Sequence, residues 1–256
     1  MANNRCLNIV IPMAGAGSRF QIQGYLEPKP LIPIHTRPMI EVVIDNLRPK
    51  RRHKFIFICQ KSHVDAYGLK AKLKQWAPGC EVVEITGLTD GAARTVLEAS
   101  NFINNDDPLM IANSDQYIDF SIEEYLAAMP VNNLSGLIMT MTADDAKWSY
   151  VGLDKNSLVT RVVEKEVISN EATVGIYNFS MGRFFVEAAN SMINKNLLVN
   201  GEFYVAPAYN ELIDSGHKIG VYNVGGVGDG MYGLGTPDDL EIFVKNDVSH
   251  AAVSKL

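Results

Sequence analysis

The residues best suited to chemistry begin in a short glycine-rich segment that follows the first apolar run of the chain. The segment comprises Ala14, Gly15, Ala16, Gly17, Ser18 and Arg19. Glycines let the backbone approach a phosphate closely, and successive N–H groups form an anion-binding concavity. The segment is not a P-loop, because no Gly-Lys-Ser/Thr follows, and Phe20 breaks the dinucleotide-binding pattern. We therefore expect a phosphate-binding turn carrying a fixed cation, Arg19; the alternative is a buried turn whose glycines serve geometry alone.

A second cation, Lys29, lies ten residues further on between Pro28 and Pro30. The prolines restrict the backbone on both sides, which suits a lysine that directs a point charge at one phosphate. A solvated lysine in a proline-rich surface loop is the alternative. The closeness to Arg19 favours a second phosphate contact.

A carboxylate, Asp115, follows another short apolar run through Asn113 and Ser114. An aspartate at the end of a strand is suited to Mg²⁺, a hard cation that takes one or two carboxylates together with phosphate oxygens. It could instead cap the next turn. The sequence favours the metal site.

These residues need a scaffold, and short β-branched runs alternate with helical patterns along the chain. This alternation predicts an α/β fold of Rossmann type, with a mostly parallel central sheet flanked by helices and a ligand crevice at the carboxyl ends of its strands. The predicted strands are Leu7–Met13, Lys54–Cys59, Glu81–Ile85, Leu109–Ala112, Gly136–Thr142, Tyr150–Asp154, Thr160–Glu164, Ala172–Phe179 and Lys218–Val224. The predicted helices are Pro38–Leu47, Val64–Trp76, Ala92–Asn101, Arg183–Met192, Phe203–Ser215 and Pro237–Asn246.

Composition limits the classes of protein that fit. The 256 residues are 47% apolar and 20% charged with a net charge of −6, which excludes a mainly disordered chain and disfavours nucleic acid or an anionic membrane as partner. Three cysteines without a C-x-x-C pair indicate reduced thiols and a cytoplasmic location. We expect one domain over 1–256, with a first lobe at 1–130 and a second lobe at 131–256.

Taken together, Gly15-x-Gly17-x-Arg19 and Pro28-Lys29-Pro30-Leu31 resemble the sugar-phosphate nucleotidyltransferases, also called NDP-sugar pyrophosphorylases. Further segments of the family pattern follow in order: Asp90-Gly91-Ala92, Asn113-Ser114-Asp115, Glu164-Lys165, Ala172–Tyr177 and Gly235–Leu240. The resemblance covers nearly the whole chain, roughly residues 7–245. It implies the nucleotide-binding α/β sheet that this family shares with type A glycosyltransferases.

The resemblance implies transfer of a nucleoside monophosphate from an NTP to a phosphorylated small molecule, with release of pyrophosphate. Such a reaction depends on positioning and on charge stabilisation, and the attacking phosphate oxygen is already ionised, so no general base is needed. The resemblance assigns Arg19 to the leaving pyrophosphate, Lys29 to the α-phosphate and Asp115 to Mg²⁺. It makes 1–130 the nucleotide-binding lobe and 131–256 the acceptor-binding lobe. It places the nucleotide against residues 14–19, Thr86, Asp90 and Gly91. It assigns the acceptor to Glu164, Lys165, Thr173, Gly175, Glu202 and Tyr204, and leaves a homo-oligomer open.

One departure from the family pattern affects the metal site, and one further resemblance affects the choice of substrates. Gly233 stands where the family often has a second metal aspartate; Asp229 could replace it, or the site could use one carboxylate and more water. In addition, Tyr150–Asp154 and Glu166–Ser169 resemble a subgroup found in surface-polysaccharide gene clusters. Some of its members are cytidylyltransferases that use CTP and a non-sugar phosphate, such as CTP:phosphoglutamine cytidylyltransferase.

Two other functions, a glycosyltransferase and a binding module, are compatible with parts of the sequence. A glycosyltransferase using an NDP-sugar would fit a similar sheet, but it would favour an Asp-x-Asp motif, and Asp115 is followed by an aspartate only at Asp119. A binding module without turnover is supported only by Gly233. Release of pyrophosphate from an NTP and an acceptor phosphate separates the transferase from both.

Overall fold

The computed structural model describes residues 5–254. Its strands are β1 (Leu7–Pro12), β2 (Pro33–Ile34), β3 (Arg37–Pro38), β4 (His53–Gln60), β5 (Glu81–Ile85), β6 (Leu109–Ala112), β7 (Gln116–Ile118), β8 (Gly136–Thr142), β9 (Ser149–Leu153), β10 (Val159–Glu164), β11 (Glu171–Phe179), β12 (Ile219–Val227) and β13 (Gly230–Gly233). Its helices are α1 (Ser18–Ile22), α2 (Met39–Leu47), α3 (Lys61–Tyr67), α4 (Leu69–Trp76), α5 (Ala92–Leu97), α6 (Ser100–Ile103), α7 (Ile122–Val131), α8 (Gly182–Asn194), α9 (Ala208–Asp214), α10 (Pro237–Val244) and α11 (Asp247–Ser254).

The central strand β1 is buried on both faces. Ile9 and Ile11 pack into the hydrophobic cluster on one side of the sheet, and Val10 packs into the cluster on the other side. Helix α2 covers the first face, and α8 and α9 cover the second. Because both faces are covered, this strand reads in sequence as a continuous apolar run rather than an alternating one.

The order of the strands creates a crevice beside β1. The sheet runs β5-β4-β1-β6-β11-β8-β12-β13-β7, with β9 and β10 attached beside β11. Strands β5, β4, β1 and β6 are parallel, whereas β11 is antiparallel to both β6 and β8. The chain moves outward from β1 to β5 and then returns to the other side of β1 as β6. Such a reversal opens a crevice at the carboxyl ends of the two strands, where ligands bind in open α/β sheets.

The predicted fold class, a mostly parallel sheet flanked by helices, is confirmed. Three helix predictions were wrong in part. The helix predicted over Ala92–Asn101 is broken after Leu97, and a separate helix, α6, starts at Ser100. The helix predicted over Val64–Trp76 is interrupted by Gly68, which adopts a left-handed conformation between α3 and α4. The helix predicted to start at Phe203 starts only at Ala208, because the backbone of Phe203 bonds to another loop. Strands β7 and β13 and helices α7 and α11 were not predicted.

The sheet continues across the boundary expected near residue 130, because β11 from the second half of the chain pairs with β6 from the first. The cysteines Cys6, Cys59 and Cys80 are free thiols. Burial raises the pKa of Cys59 to about 12 and also raises the pKa of Cys80. Within residues 5–254, no helix is long and apolar enough to cross a membrane.

Candidate active site

The glycine-rich segment forms the turn between β1 and α1. Gly17 caps α1 in a left-handed conformation, and its carbonyl accepts a hydrogen bond from the N–H of Phe20 at 3.0 Å. A Cβ placed on Gly17 would lie 3.4 Å from Cβ of Lys29, so the turn packs directly against that lysine. Ala14 is buried, whereas Gly15, Ala16, Ser18 and Arg19 are exposed at the edge of the sheet. The two cationic segments predicted from sequence therefore form one surface.

Lys29 and Asp115 meet across the crevice between β1 and β6. The Lys29 ammonium donates a hydrogen bond to Oδ2 of Asp115 at 2.8 Å, and the two side chains are only 25% and 22% exposed. Pro28 and Pro30 are buried, so the solvated-loop alternative does not describe Lys29. The N–H of Leu234 donates to the Asp115 carbonyl at 2.8 Å and fixes its backbone.

A cavity next to this pair, here called the charged cavity, is bordered by both Asp115 and Arg19. Its other lining residues include Asn113, Gln116, Lys147, Trp148, Gly233, Gly235, Thr236, Asp238 and Asp239. A Cβ placed on Gly235 would lie 2.9 Å from Oδ2 of Asp115, and one placed on Gly233 would lie 3.8 Å from Oδ2 of Asp239. The two glycines thus leave room for two carboxylates in one cavity.

Asp239, which the sequence analysis missed, is also part of a helix cap. The Thr236 hydroxyl donates to Oδ2 of Asp239 at 2.6 Å and accepts from the Asp239 N–H at 3.1 Å. The structure does not bring Asp229 to this cavity; its N–H and carbonyl bond to Gly226 in the turn between β12 and β13. The spacing Thr236-x-x-Asp239 predicts the start of a helix. It does not predict that the Asp239 carboxylate lines the same cavity as Asp115.

A second cavity, here called the glycine-loop cavity, opens on the other side of residues 14–16. It is lined by Pro12, Ala14, Gly15, Ala16, Leu88, Thr89, Gly91, Ala92, Thr95, Glu202 and Tyr204. Thr86 lies on the exposed turn before this lining, and the Thr89 hydroxyl lies within it, 2.6 Å from that of Thr95. Asp90 is exposed and forms an ion pair with Arg94 at 2.8 Å.

The segment 202–204 reaches this cavity through backbone pairing. The Phe203 N–H donates to the Asp90 carbonyl at 2.8 Å, and the Ala93 N–H donates to the Phe203 carbonyl at 2.9 Å. Gly91 has a φ of 120°, and a Cβ there would lie 2.5 Å from the Phe203 nitrogen. Only glycine permits this approach. Glu202 and Tyr204, predicted for the acceptor, therefore also border the expected nucleotide side.

A third cavity, here called the aromatic cavity, contains the acceptor residues predicted on β10 and β11. Its lining includes Lys147, Trp148, Ser149, Glu164, Thr173, Gly175, Tyr177 and Tyr204. Glu164 is only 9% exposed and accepts a hydrogen bond from the Ser149 hydroxyl, and burial raises the pKa of Glu164. Lys147 and Trp148 also line the charged cavity, so the loop before β9 separates two adjoining cavities.

Gly175, which lines the aromatic cavity, has a backbone conformation that favours glycine. It has a φ of 93°, and a Cβ there would lie 2.2 Å from Nδ2 of Asn113. Its carbonyl accepts from the Asn113 N–H at 3.0 Å. Gly175 therefore lets β11 approach the residues that follow β6. The Thr173 hydroxyl lies 3.1 Å from that of Tyr177 within the aromatic cavity.

Lys165 follows Glu164 in a left-handed conformation, with a φ of 58°. Its ammonium donates to the Tyr204 hydroxyl at 2.7 Å. This hydrogen bond raises the pKa of Lys165 against the opposing effect of desolvation. Lys165 therefore reaches the aromatic cavity through Tyr204, whereas Arg19 lines the charged cavity and Lys29 forms the ion pair with Asp115.

The charged cavity contains one more group that sequence reasoning missed. Nε2 of Gln116 is buried without a hydrogen-bond partner in the described chain, and Gln116 borders the cavity. Over residues 5–254, no group of three or more His, Cys, Asp or Glu side chains is arranged to hold a metal. A divalent cation here would need further oxygen ligands from a bound substrate or water.

Comparisons with known proteins agree on one family. The nucleotidyl transferase family model matches residues 9–214. The chain is 24% identical over 221 residues to the bifunctional protein GlmU of Methanococcus maripaludis, covering 84% of this chain and 49% of that protein. It is 26% identical over 190 residues to the mannose-1-phosphate guanyltransferase of Gibberella zeae, covering 67% and 49%. The chain thus spans about half the length of these curated relatives.

Solved structures establish the same fold. The nucleoside-diphosphate-sugar pyrophosphorylase of Vibrio cholerae RC9 has a TM-score of 0.78 at 24% identity, covering 93% of this chain and 100% of that one. The inositol-1-phosphate CTP transferase of T. maritima has a TM-score of 0.74 at 14% identity, covering 98% and 96%. At these identities the comparison concerns the arrangement of the backbone alone.

Proposed function

The chain belongs to the nucleotidyl transferase family, and on that premise we propose that it transfers a nucleoside monophosphate from an NTP to the phosphate of a small acceptor. An acceptor phosphate oxygen attacks the α-phosphorus, the bond to the β-phosphate oxygen breaks, and pyrophosphate leaves. The acceptor oxygen is already ionised near neutral pH, so the protein needs to position the phosphates and stabilise their charge.

The observation that carries this proposal is the Lys29–Asp115 pair at the reversal of strand order, packed against the Gly17 turn. A lysine held by buried prolines beside an anion-binding turn is suited to phosphate, and an adjacent carboxylate is suited to a phosphate-bound cation. Both partners are part-buried, so their charges are screened less than those of a surface pair.

In this proposal Lys29 and Arg19 bind different phosphate groups of the NTP. Lys29 lies beside Gly15 and Asp115, where the α-phosphate would be transferred. Arg19 is exposed on the outer side of the charged cavity, which suits the departing pyrophosphate. Arginine forms paired hydrogen bonds to phosphate oxygens, whereas lysine acts as a point charge.

Mg²⁺ fits the charged cavity through two carboxylates. Asp115 would hold it, and the second carboxylate would be Asp239, which stands beside Gly233 in the same cavity, rather than the predicted Asp229. When bound, Mg²⁺ would neutralise charge on the transferred phosphates. Its remaining ligands would be phosphate oxygens and water, as is usual for this ion.

The acceptor binds in the aromatic cavity in this proposal. Lys165, which is bonded to the lining residue Tyr204, would hold its phosphate. The buried Glu164 would accept hydrogen bonds from its hydroxyl or amino groups. Trp148 and Tyr204 offer flat apolar surface to the rest of the molecule. These groups fit a sugar 1-phosphate, and they equally fit a non-sugar phosphate of the kind used by cytidylyltransferases.

The names of the relatives suggest which substrates to test first. One relative is a mannose-1-phosphate guanyltransferase, and one structural neighbour is an inositol-1-phosphate CTP transferase. The experiment measures pyrophosphate release from CTP, GTP, UTP, dTTP and ATP against sugar 1-phosphates, inositol 1-phosphate and phosphoglutamine, with Mg²⁺ present.

We expect one NTP and acceptor pair to release pyrophosphate well above the rate without acceptor. Omitting the acceptor separates transfer from simple NTP hydrolysis. Activity with an NDP-sugar as donor, and none with an NTP, would instead identify a glycosyltransferase.

A further inference from the structure

We propose that Tyr204 and Glu202 are positioning residues that hold the Lys165 ammonium at the boundary between the glycine-loop and aromatic cavities. The inference rests on the proposed function, in which Lys165 binds the acceptor phosphate. It gives Tyr204 and Glu202 a role different from the direct acceptor contact expected from sequence. It also predicts that the nucleotide side and the acceptor side are linked by side chains of one short segment.

The first observation is the hydrogen bond between the side chains of Lys165 and Tyr204. The Lys165 ammonium donates to the Tyr204 hydroxyl at 2.7 Å and lies 5.0 Å from the centre of the Tyr204 ring. An ammonium only donates, so the hydroxyl accepts this bond and its own proton is free for another acceptor. Burial raises the pKa of Tyr204 most, and the nearby Glu202 carboxylate raises it further. The Lys165 ammonium is therefore bonded to Tyr204, with the negative charge of Glu202 close to both.

The second observation concerns the backbone of Lys165. A φ of 58° is uncommon for a lysine, and residues in this region are often found where function fixes the backbone. The Lys165 N–H donates to the Trp148 carbonyl at 3.0 Å, which fixes the start of the side chain. Its four-carbon stem remains flexible. Holding its charged end at one point therefore requires a partner such as Tyr204.

The third observation is where Tyr204 itself is held. The neighbouring residue Phe203 bonds through its backbone to Asp90 and to Ala93, at the start of α5 beside the glycine-loop cavity. Tyr204 lines both this cavity and the aromatic cavity, and Glu202 lines the first. Tyr204, which orients Lys165, thus belongs to a segment that lines the expected nucleotide site. A movement of segment 202–204 would therefore also move the Lys165 ammonium, which binds the acceptor phosphate in the proposed function.

The charges that face Lys165 agree with this arrangement. The hydrogen bond with Tyr204, together with the negative charges of Glu164 and Glu202, raises the pKa of Lys165, and desolvation opposes them. Lys165 must stay protonated to attract a phosphate. Removing the Tyr204 hydroxyl should therefore lower the pH at which Lys165 loses its proton.

The first test needs no substrate. Tyr204→Phe keeps the ring and removes only the hydroxyl, and the titration of Lys165 is followed by NMR of ¹³C-labelled lysine side chains. The signal is assigned by its loss in Lys165→Arg. We expect the Lys165 titration to move to lower pH, while Lys195, paired with Glu211 elsewhere on the surface, keeps its value. An unchanged Lys165 titration would overturn the inference.

The second test uses the most active NTP and acceptor pair from the substrate screen. In Tyr204→Phe we expect KM for the acceptor to rise about tenfold, as for the loss of a hydrogen bond to a charged group, with a smaller change in kcat. The high-pH fall of kcat/KM for the acceptor should begin at lower pH. Tyr222→Phe, a tyrosine on β12 outside the three cavities, is the matched control and should change neither.

A double-mutant cycle of Tyr204→Phe with Glu202→Gln tests the part that Glu202 plays. If Glu202 acts through Tyr204, the effects of the two substitutions on KM for the acceptor are non-additive. Additive effects would show that Glu202 acts separately and would overturn its part in the inference. If Lys165 titrates as expected and no substrate pair releases pyrophosphate, the proposed function fails while the positioning of Lys165 by Tyr204 stands.

Discussion

The charged cavity and the aromatic cavity adjoin each other but are built differently. The charged cavity is formed at strand ends by short segments, and it is lined by the exposed Arg19 and by Asp115, which is part-buried together with its partner Lys29. The aromatic cavity is formed between β9, β10 and β11, where Glu164 is 9% exposed and is satisfied by a serine. One region places charge near solvent, and the other places a carboxyl inside the protein.

This difference has a physical consequence. Phosphates are strongly charged, so a cavity that binds them needs cations at fixed positions. Its carboxylates must also be able to leave a lysine partner and bind a metal ion instead. A neutral or hydroxylated group is recognised better by buried polar atoms, whose unpaired state is costly when the wrong ligand binds. Substitutions in the first region should therefore act mainly on turnover. Those in the second should act on acceptor recognition and on stability.

The largest effect is expected from the ion pair of the charged cavity. Lys29→Ala or Asp115→Asn should lower the rate of pyrophosphate release by about 10²–10³-fold, as for the loss of one group that stabilises transition-state charge. Far-ultraviolet circular dichroism checks that the fold is intact. Lys245→Ala, which removes an exposed lysine paired with Glu241, is the control and should leave turnover unchanged.

Turnover close to the wild-type rate in Lys29→Ala would contradict the assignment of the charged cavity to the transferred phosphates.

A smaller effect is expected from the second carboxylate of the same cavity. Asp239→Asn should raise the Mg²⁺ concentration for half-maximal activity about tenfold, because one of two anionic ligands is lost. Asparagine can still accept the hydrogen bond from Thr236, so the helix cap is kept. Mn²⁺ binding in the presence of pyrophosphate, followed by electron paramagnetic resonance, gives a readout independent of turnover.

Asp229→Asn is the matched comparison, because that residue was predicted from sequence as the substitute metal ligand. We expect it to bind Mn²⁺ as the wild type does. Weaker Mn²⁺ binding in Asp229→Asn, with normal binding in Asp239→Asn, would restore the sequence prediction and remove Asp239 from the metal site.

The smallest effect is expected on stability in the aromatic cavity. Burial raises the pKa of Glu164, so the folded protein binds a proton there more readily than the unfolded chain does. As pH rises above the unfolded value, ionised Glu164 therefore destabilises the fold. Glu164→Gln removes this penalty and should be more stable than the wild type near pH 7 but not near pH 4. The gain is small against a total stability of roughly 5–15 kcal/mol.

Urea unfolding of both proteins from pH 4 to pH 8 measures the difference. Glu166→Gln, an exposed neighbour, is the control and should show no such dependence on pH. A stability difference between Glu164→Gln and wild type that stays constant over this range would show that the carboxyl of Glu164 is not penalised by burial.

Much of the fold could be predicted from the sequence, because central strands buried on both faces produce continuous apolar runs. The strands β1, β4, β6, β8 and β11 were all predicted. The short strands β7 and β13 were not, since three or four residues carry too little pattern. The start of α9 was misplaced because long-range bonds of Phe203 override a locally helical sequence.

The candidate site, like the fold, could be predicted from the sequence only in part. By itself the sequence determined the glycine turn, the proline-held Lys29 and the carboxylate Asp115, because each belongs to a short contiguous motif with a local backbone requirement. Only the tertiary structure decided that Asp239 stands beside Gly233, that Gly175 makes room for Asn113, and that Tyr204 holds Lys165. These contacts join residues far apart in the chain, and their distances depend on how strands and loops pack.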